Sequence, residues 1–317
     1  MKYKTILVTG ATGFVGSHLV EELVKQKAQV IATTHHPVLK NSYFATQKLD
    51  KKTEVVKIDL IDYSKVQRLI AKVQPQYIFH LAAQPLVDVA FENPKETLYS
   101  NILGTVNVLE SARRAGYVKA IVVASSDKAY GKMAKPKYLE SDPLAGDHPY
   151  EVSKSATDLI AQSYFRTYSL PVVITRFGNI YGEGDLHFSR LIPGIMKAMA
   201  KNEIFEIRSN GKYVRDYLYV KDVVRGYLLL AENIKRIKGE AFNFGSDDTY
   251  SVLSLIRLIS QISQIRIDYR ILNSAHNEIP YQSLDWSKIK KTLNWKPEYN
   301  IQNSIKNIFT WYKYYFR

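Results

Sequence analysis

Lys4-Thr5-Ile6-Leu7-Val8-Thr9-Gly10-Ala11-Thr12-Gly13-Phe14-Val15-Gly16 opens the chain with an apolar run that ends in three evenly spaced glycines. Ser17 to Lys27 then carries apolar residues at helical spacing, through Leu19, Val20, Leu23 and Val24. Strand, glycine turn and helix in that order are the context in which such a motif points to a dinucleotide. Gly10 permits the tight turn, Gly13 lets the backbone approach a pyrophosphate, and Gly16 lets the helix pack on the strand. The first N–H groups of the helix then face the phosphates. Gly10, Thr12, Gly13, Phe14, Val15 and Gly16 are therefore candidate cofactor contacts. The bland alternative is a glycine-rich connection that holds no ligand.

Outward from this stretch, strands and helices alternate. Val30 to Thr34 and Glu54 to Ile58 read as strands, the latter followed by Asp59-Leu60. Tyr63 to Val73 reads as a helix, Tyr77 to Ala82 as a buried strand, and Pro94 to Ala115 as a long helix stopped by Gly116. Lys119 to Ala124 is the next strand, Tyr150 to Tyr168 a helix and Val172 to Arg176 a strand. This order predicts an α/β fold: a doubly wound parallel (Rossmann) sheet with a smaller C-terminal substrate-binding lobe. After Phe177 the pattern changes to loops and shorter elements. The expected division is 1–177 plus about 217–238 for the nucleotide-binding body, and 178–216 plus 239–317 for the second lobe.

At 317 residues the chain is long enough for a substantial core. Hydrophobic content of 46% and charged content of 23% are those of an ordinary globular protein. No apolar run approaches the ~20 residues that span a bilayer. The first residues lack a secretory-leader pattern, and cytoplasmic is the expectation. The absence of cysteine excludes disulfides, thiol catalysis and thiolate metal sites. A formal charge of +14 invites nucleic acid, yet the lysines are scattered and no basic stripe carries exposed aromatics. No nucleic-acid or membrane partner is expected. His35-His36 has no accompanying carboxylate cluster and reads as loop, so no metal site is expected. His80, in an apolar strand, reads as a hydrogen-bonded core residue.

Two stretches carry candidate chemistry. Tyr150 and Lys154 stand four residues apart on the expected helix, so both project from one face. A nearby ammonium lowers the phenol below its usual ~10 and makes it a usable base. Tyr217 and Lys221 have the same spacing, so spacing alone does not choose. Ser125-Ser126-Asp127-Lys128 follows the strand ending at Ala124, at the carboxyl edge where open parallel sheets bind ligands.

Taken together these residues resemble the extended short-chain dehydrogenase/reductases of the nucleotide-sugar epimerase/dehydratase family, and most of all its CDP-glucose 4,6-dehydratases. The resemblance rests on Phe79-His80-Leu81-Ala82-Ala83-Gln84-Pro85-Leu86-Val87, Asn101-Ile102-Leu103-Gly104-Thr105-Val106, Ser126-Asp127-Lys128 and Arg176-Phe177-Gly178-Asn179. Gly182-Glu183-Gly184-Asp185 and the tail from Leu284 to Pro297 are similar too, whereas Val214 to Val220 follows the wider family pattern. The resemblance implies NAD as cofactor. The end of the second strand, Thr33-Thr34-His35-His36, offers neither an acid nor an arginine and leaves NADP open. It also implies that Asp59-Leu60 and Leu81-Ala82-Ala83-Gln84 touch the cofactor, and that the chain is a homodimer paired through the helices at 94–115 and 150–168.

For a 4,6-dehydratase the resemblance implies these roles. Tyr150 takes the C4 hydroxyl proton, Lys154 steadies the phenolate and holds the nicotinamide ribose, and Ser126 bonds the C4 oxygen. Asp127 protonates the leaving C6 hydroxyl and Lys128 accepts the C5 proton. Asn179, Arg190 and Arg215 are candidates for the substrate diphosphate, since guanidinium forks suit phosphate. The rival readings are an NAD-dependent 4-epimerase, which needs no second acid/base pair, and a non-catalytic NAD(P)-binding regulator, of a kind that commonly lacks the Tyr/Lys pair.

Overall fold

In the computed structural model, which describes residues 1–133, 135, 137–274 and 279–317, the apolar runs form a seven-stranded sheet. Its strands are β1 (Thr5–Thr9), β2 (Gln29–Thr34), β3 (Glu54–Lys57), β4 (Tyr77–His80), β5 (Ala120–Ala124), β6 (Val172–Phe177) and β7 (Ala241–Phe244). They lie in the order β7-β6-β5-β4-β1-β2-β3, and the pairs from β6 to β3 are all parallel. The chain reverses its direction of travel between β1 and β4. That switch point opens a crevice outside the strands' carboxyl ends, where ligands of such sheets bind.

Both faces of the central strands are covered, which is why their sequences are apolar runs and not alternating ones. Leu7, Ile31, Ile78, Ile121, Val123 and Ile174 are buried in one cluster with Val66, Leu69 and Ile70 of the helix α2 (Tyr63–Val73). Each such side chain contributes about 1.5–3 kcal/mol of hydrophobic stabilisation. The helix α1 (Phe14–Lys25) begins three residues earlier than the periodicity suggests, inside the glycine motif.

The long helix expected over 94–115 is interrupted. A helix α3 (Pro94–Leu98) runs into a π-helical turn, Tyr99–Leu103, before α4 (Gly104–Ala115). Gly116, at φ +72, ends α4 in the left-handed conformation that glycine takes without cost. A further helix, α5 (Pro149–Tyr168), starts with proline at a first-turn position, where its missing N–H costs nothing.

The chain divides into two compact units: Met1–Met133, Glu140–Arg176 and Val224–Asn243 form the first, and Ala134–Leu139, Phe177–Val223 and Phe244–Arg317 the second. The sequence reading had placed about 217–238 in the first body and 239–317 in the second lobe, whereas 217–223 belong to the second unit and 239–243, with most of β7, to the first. Strand Val214–Tyr219 instead pairs with Thr249–Ser251, Tyr281–Leu284 and Asn179–Tyr181, all in the second unit, and Tyr281–Leu284 pairs with Lys137–Tyr138. These short strands carry too few residues for a period to show in the sequence. Trp295 and Phe244 meet edge to face in the unit's core, with ring centroids 4.9 Å apart. The aromatic tail belongs to a packed terminal helix, Ile301–Tyr315, capped by Asn300.

Candidate active site

Gly10 adopts φ +68, and a Cβ on it would lie 2.8 Å from the Ala82 nitrogen. The glycine loop and the segment after β4 therefore touch backbone to backbone, which only glycine allows. A Cβ on Gly16 would fall 2.1 Å from the Gly10 carbonyl oxygen, so the start of α1 also requires glycine. Gly13 is exposed and caps α1 with no side-chain hydrogen bond, and no acidic residue stands in the first turn. The leading N–H groups are thus left by the side chains for an anion, as a pyrophosphate requires. Thr12 Oγ1 donates to Thr34 Oγ1 at 3.0 Å, and Thr34 Oγ1 donates to the His36 carbonyl at 2.6 Å. Among the half-buried edge residues, Asp59 accepts the Ile61 N–H at 3.0 Å, and Asn107 donates to the Leu60 and Ile61 carbonyls at 2.8 Å each. Asn107 was not singled out from the sequence, because a lone asparagine within a helix has no motif to mark it.

On α5, Tyr150 and Lys154 are buried on one face, 8% and 6% exposed. The Lys154 ammonium donates to the Ala124 carbonyl at the end of β5, 2.9 Å away. Burial lowers its pKa to about 8, against the opposing pull of Asp158. A short 3₁₀ turn, Asp127–Tyr130, carries the second group of candidates, with Ser126 capping it by accepting the Lys128 N–H at 3.1 Å. The Ser126 hydroxyl donates to Asp127 Oδ1 at 2.9 Å, and both residues are buried while Lys128 is half-buried. Two serines tie this turn to α5, and Ser155 among them was not singled out from the sequence. Ser155 Oγ donates to the Ala129 carbonyl at 2.7 Å, and Ser125 Oγ reaches the Lys154 carbonyl at 3.5 Å. All five catalytic candidates are thereby brought together in the first unit.

Asn101, in the π-helical turn, links that group to the segment after β4. Its Oδ1 accepts the Gln84 N–H at 2.7 Å, and its Nδ2 donates to the Gln84 carbonyl and to Ser153 Oγ. Ser153 in turn donates to the Tyr150 carbonyl at 2.7 Å. The Asn101 carbonyl accepts the hydroxyls of Thr105 and Thr157. His80 completes the network as the core residue expected of it. Thr105 has spent its proton on Asn101, so it accepts from His80 Nε2, which leaves Nδ1 to accept from Thr9 Oγ1. Thr9 Oγ1 then accepts the Ala82 N–H at 3.2 Å. Burial, and then the Lys154 charge, lowers His80 to about 3, so the ring is neutral.

The three substrate candidates lie in the second unit and already have partners there. Asn179 Nδ2 donates to the Asp216 carbonyl at 3.3 Å, and Arg215 Nη1 to the Val214 carbonyl at 2.8 Å. Arg190 is ion-paired to the fully buried Asp185 at 3.1 Å. Rings of His35 and His36 stand 4.5 Å apart at the exposed end of β2. Among the described residues, no helix is long and apolar enough to cross a membrane.

A family profile described as the NAD dependent epimerase/dehydratase family matches residues 6–245. The chain belongs to the NAD-dependent epimerase/dehydratase family. Within it, similarity runs to both named activities. A CDP-glucose 4,6-dehydratase of Salmonella typhimurium is 31% identical over 99% of this chain and 92% of its own length. UDP-glucuronate 4-epimerase 4 of Arabidopsis thaliana is 29% identical, over 98% of this chain and 76% of its own. The crystal structure of a Streptomyces venezuelae dTDP-glucose 4,6-dehydratase with NAD bound superposes with a TM-score of 0.89 at 27% identity, covering 98% of this chain and 97% of that one. The uncapped α1 terminus and the open face at Gly13 fit the family's cofactor, NAD.

Proposed function

We propose that this family member is a nucleotide-sugar 4,6-dehydratase, converting an NDP-hexose to its 4-keto-6-deoxy form. The observation that carries the reading is the turn after β5. It presents a buried carboxylate, Asp127, beside a lysine, Lys128, on the segment that Ser125 and Ser155 fasten to the Tyr150/Lys154 helix. Exchange of configuration at C4 needs a single base and the cofactor; loss of water across C5 and C6 needs this second acid and base.

NAD, when bound, would supply a hydride acceptor for C4 and, once reduced, a hydride donor for C6. Tyr150 removes the C4 hydroxyl proton, with the Lys154 ammonium favouring the phenolate. The Lys154–Ala124 hydrogen bond fixes the ammonium on the face that Tyr150 shares. The resulting ketone acidifies C5–H, whose proton Lys128 takes in its neutral amine form while Asp127, in its protonated carboxyl form, gives its proton to the departing C6 hydroxyl. Ser126, bonded to Asp127 in the resting enzyme, turns its hydroxyl to the C4 oxygen as substrate binds. Asn179, Arg190 and Arg215 are proposed for the diphosphate, with Arg190 first breaking from Asp185. Tyr99, Leu103, Val152 and Leu159 leave 39–51% of their surface exposed, which supports a homodimer paired through these helices.

Lys128→Met tests the reading. Reduced-nicotinamide absorbance should still rise when NDP-hexose is added, whereas 4-keto-6-deoxy product and deuterium uptake at C5 should vanish. Wild-type uptake and yield at saturating substrate would remove Lys128 from the mechanism. A C4-inverted product from the wild type, with C6 retained, would make the protein a 4-epimerase instead.

A further inference from the structure

Arg176, near the end of β6, is 2% exposed and holds Asp158 of α5, which is wholly buried. Its Nε and Nη2 donate to the two Asp158 oxygens at 2.8 and 3.0 Å. Its Nη1 donates to the Tyr130 hydroxyl at 2.7 Å and the Glu140 carbonyl at 3.1 Å. The Tyr130 ring also lies under the guanidinium, with its centroid 4.9 Å away, and the Tyr130 hydroxyl donates to Asn243 Oδ1 at 2.7 Å. Gln162 Nε2 gives Asp158 Oδ1 a further donor at 2.8 Å. A buried ion pair is weak as a device for stability, because desolvation consumes most of its attraction.

Its placement gives it a different use. Asp158 stands four residues beyond Lys154, on the same face of α5. Tyr130 is the last residue of the turn that carries Asp127 and Lys128. One guanidinium therefore grips both chemical segments.

We propose that Arg176 is a positioning residue: it locks α5 to the Asp127–Tyr130 turn and offsets the Asp158 charge one helical turn from Lys154, thereby setting the pH at which Tyr150 ionises. The inference rests on Tyr150 being the base. Glu140 stands beside the cluster, with its Oε1 accepting the Asn243 N–H at 2.8 Å. His80, from β4, is neutral, and burial holds Tyr227 protonated from the helix Val220–Glu232. Asp127 and Lys128 stand on the turn that Tyr130 ends, and Glu151 of α5 is paired to His148 at 3.2 Å. Removing a cation raises the ionisation pH of a nearby phenol, and removing an anion lowers it.

The test follows phenolate difference absorbance of the full chain saturated with NAD. Tyr150→Phe serves as the reference, which isolates one signal among 23 tyrosines. Arg176→Gln should move the Tyr150 midpoint upward by about one pH unit and Asp158→Asn downward by about as much, the size expected of a unit charge roughly 10 Å away at an effective dielectric near 20. The double variant should return close to wild type, and Arg176→Lys should stay there. A purely structural role would move both single variants the same way or neither, and that result overturns the proposal. Where Arg176→Gln does not fold, Asp158→Asn against the double variant still reads the charge. A wild type with no Tyr150 signal below the ordinary tyrosine range is a separate result, which sinks the choice of base itself.

Discussion

Tyr150–Lys154 and Tyr217–Lys221 share a spacing and differ in nearly everything the fold adds to it. The first pair lies within one helix, α5, so four residues bring both side chains to one buried face. The second pair straddles two elements. Tyr217 sits in the strand Val214–Tyr219, while Lys221 belongs to the helix that begins at Val220. Burial holds the Tyr217 phenol well above its ordinary range, with Arg215 giving the main opposing pull. The Lys221 ammonium lies over the rings of Tyr219 and Tyr299 instead, 5.6 and 5.9 Å from their centroids. Residue spacing acquires a chemical meaning only from the element that carries it.

The comparison would break most visibly at Tyr150. Tyr150→Phe should keep NAD binding, measured by calorimetry, and lose at least ~10²-fold in turnover, the usual share of a general base. Near-normal turnover would put Tyr150 outside the chemistry.

Lys154→Met sharpens the contrast through stability. The folded-state pKa of about 8 lies below the ordinary 10.5, so between those values the unfolded chain binds more protons than the folded one. Wild-type stability should therefore rise with pH across that window, with the penalty complete below pH 8. The methionine variant should be more stable at pH 7 by up to ~3 kcal/mol, at ~1.4 kcal/mol per pH unit, and the gap should close above pH ~10. Denaturant unfolding at several pH values measures it; a gap that widens with pH would refute the depressed lysine.

Asn101→Ala probes what supports the first pair and has no counterpart at the second. It leaves the Gln84 N–H and carbonyl without their side-chain partner, at a cost of ~1–3 kcal/mol in unfolding free energy. The smallest effect belongs to the second pair. Tyr217→Phe and Lys221→Met should leave the pH profile of turnover unchanged, and a displaced profile in either would mean that the wrong pair carries the chemistry.

The sheet was legible because its strands are apolar runs and its glycines stand at strand ends, both of which are local signals. Helix α2 falls on the residues its periodicity marks, Tyr63–Val73. The second unit was harder to read, because strands such as Lys137–Tyr138 and Thr249–Ser251 exist only through partners distant in the sequence. At the site, Tyr150, Lys154 and Ser126-Asp127-Lys128 were legible from motif and context. Asn101 was visible only inside a family stretch and without a role, Asn107 was not visible at all, and Arg176 appeared as part of a resemblance.

By itself, then, the sequence determined the α/β class, the succession along the chain of the first six strands and the glycine loop, since each follows from short-range sterics and hydrophobic period. Tertiary structure decided that Arg190 faces Asp185, and that Asp158, Arg176 and Tyr130 form one buried cluster. Those are contacts between residues 5 to 46 positions apart, some through loops whose length carries no code for where they end. Burial, which lowers Lys154 and His80, is likewise a property of everything packed around a group, and no local stretch of sequence holds it.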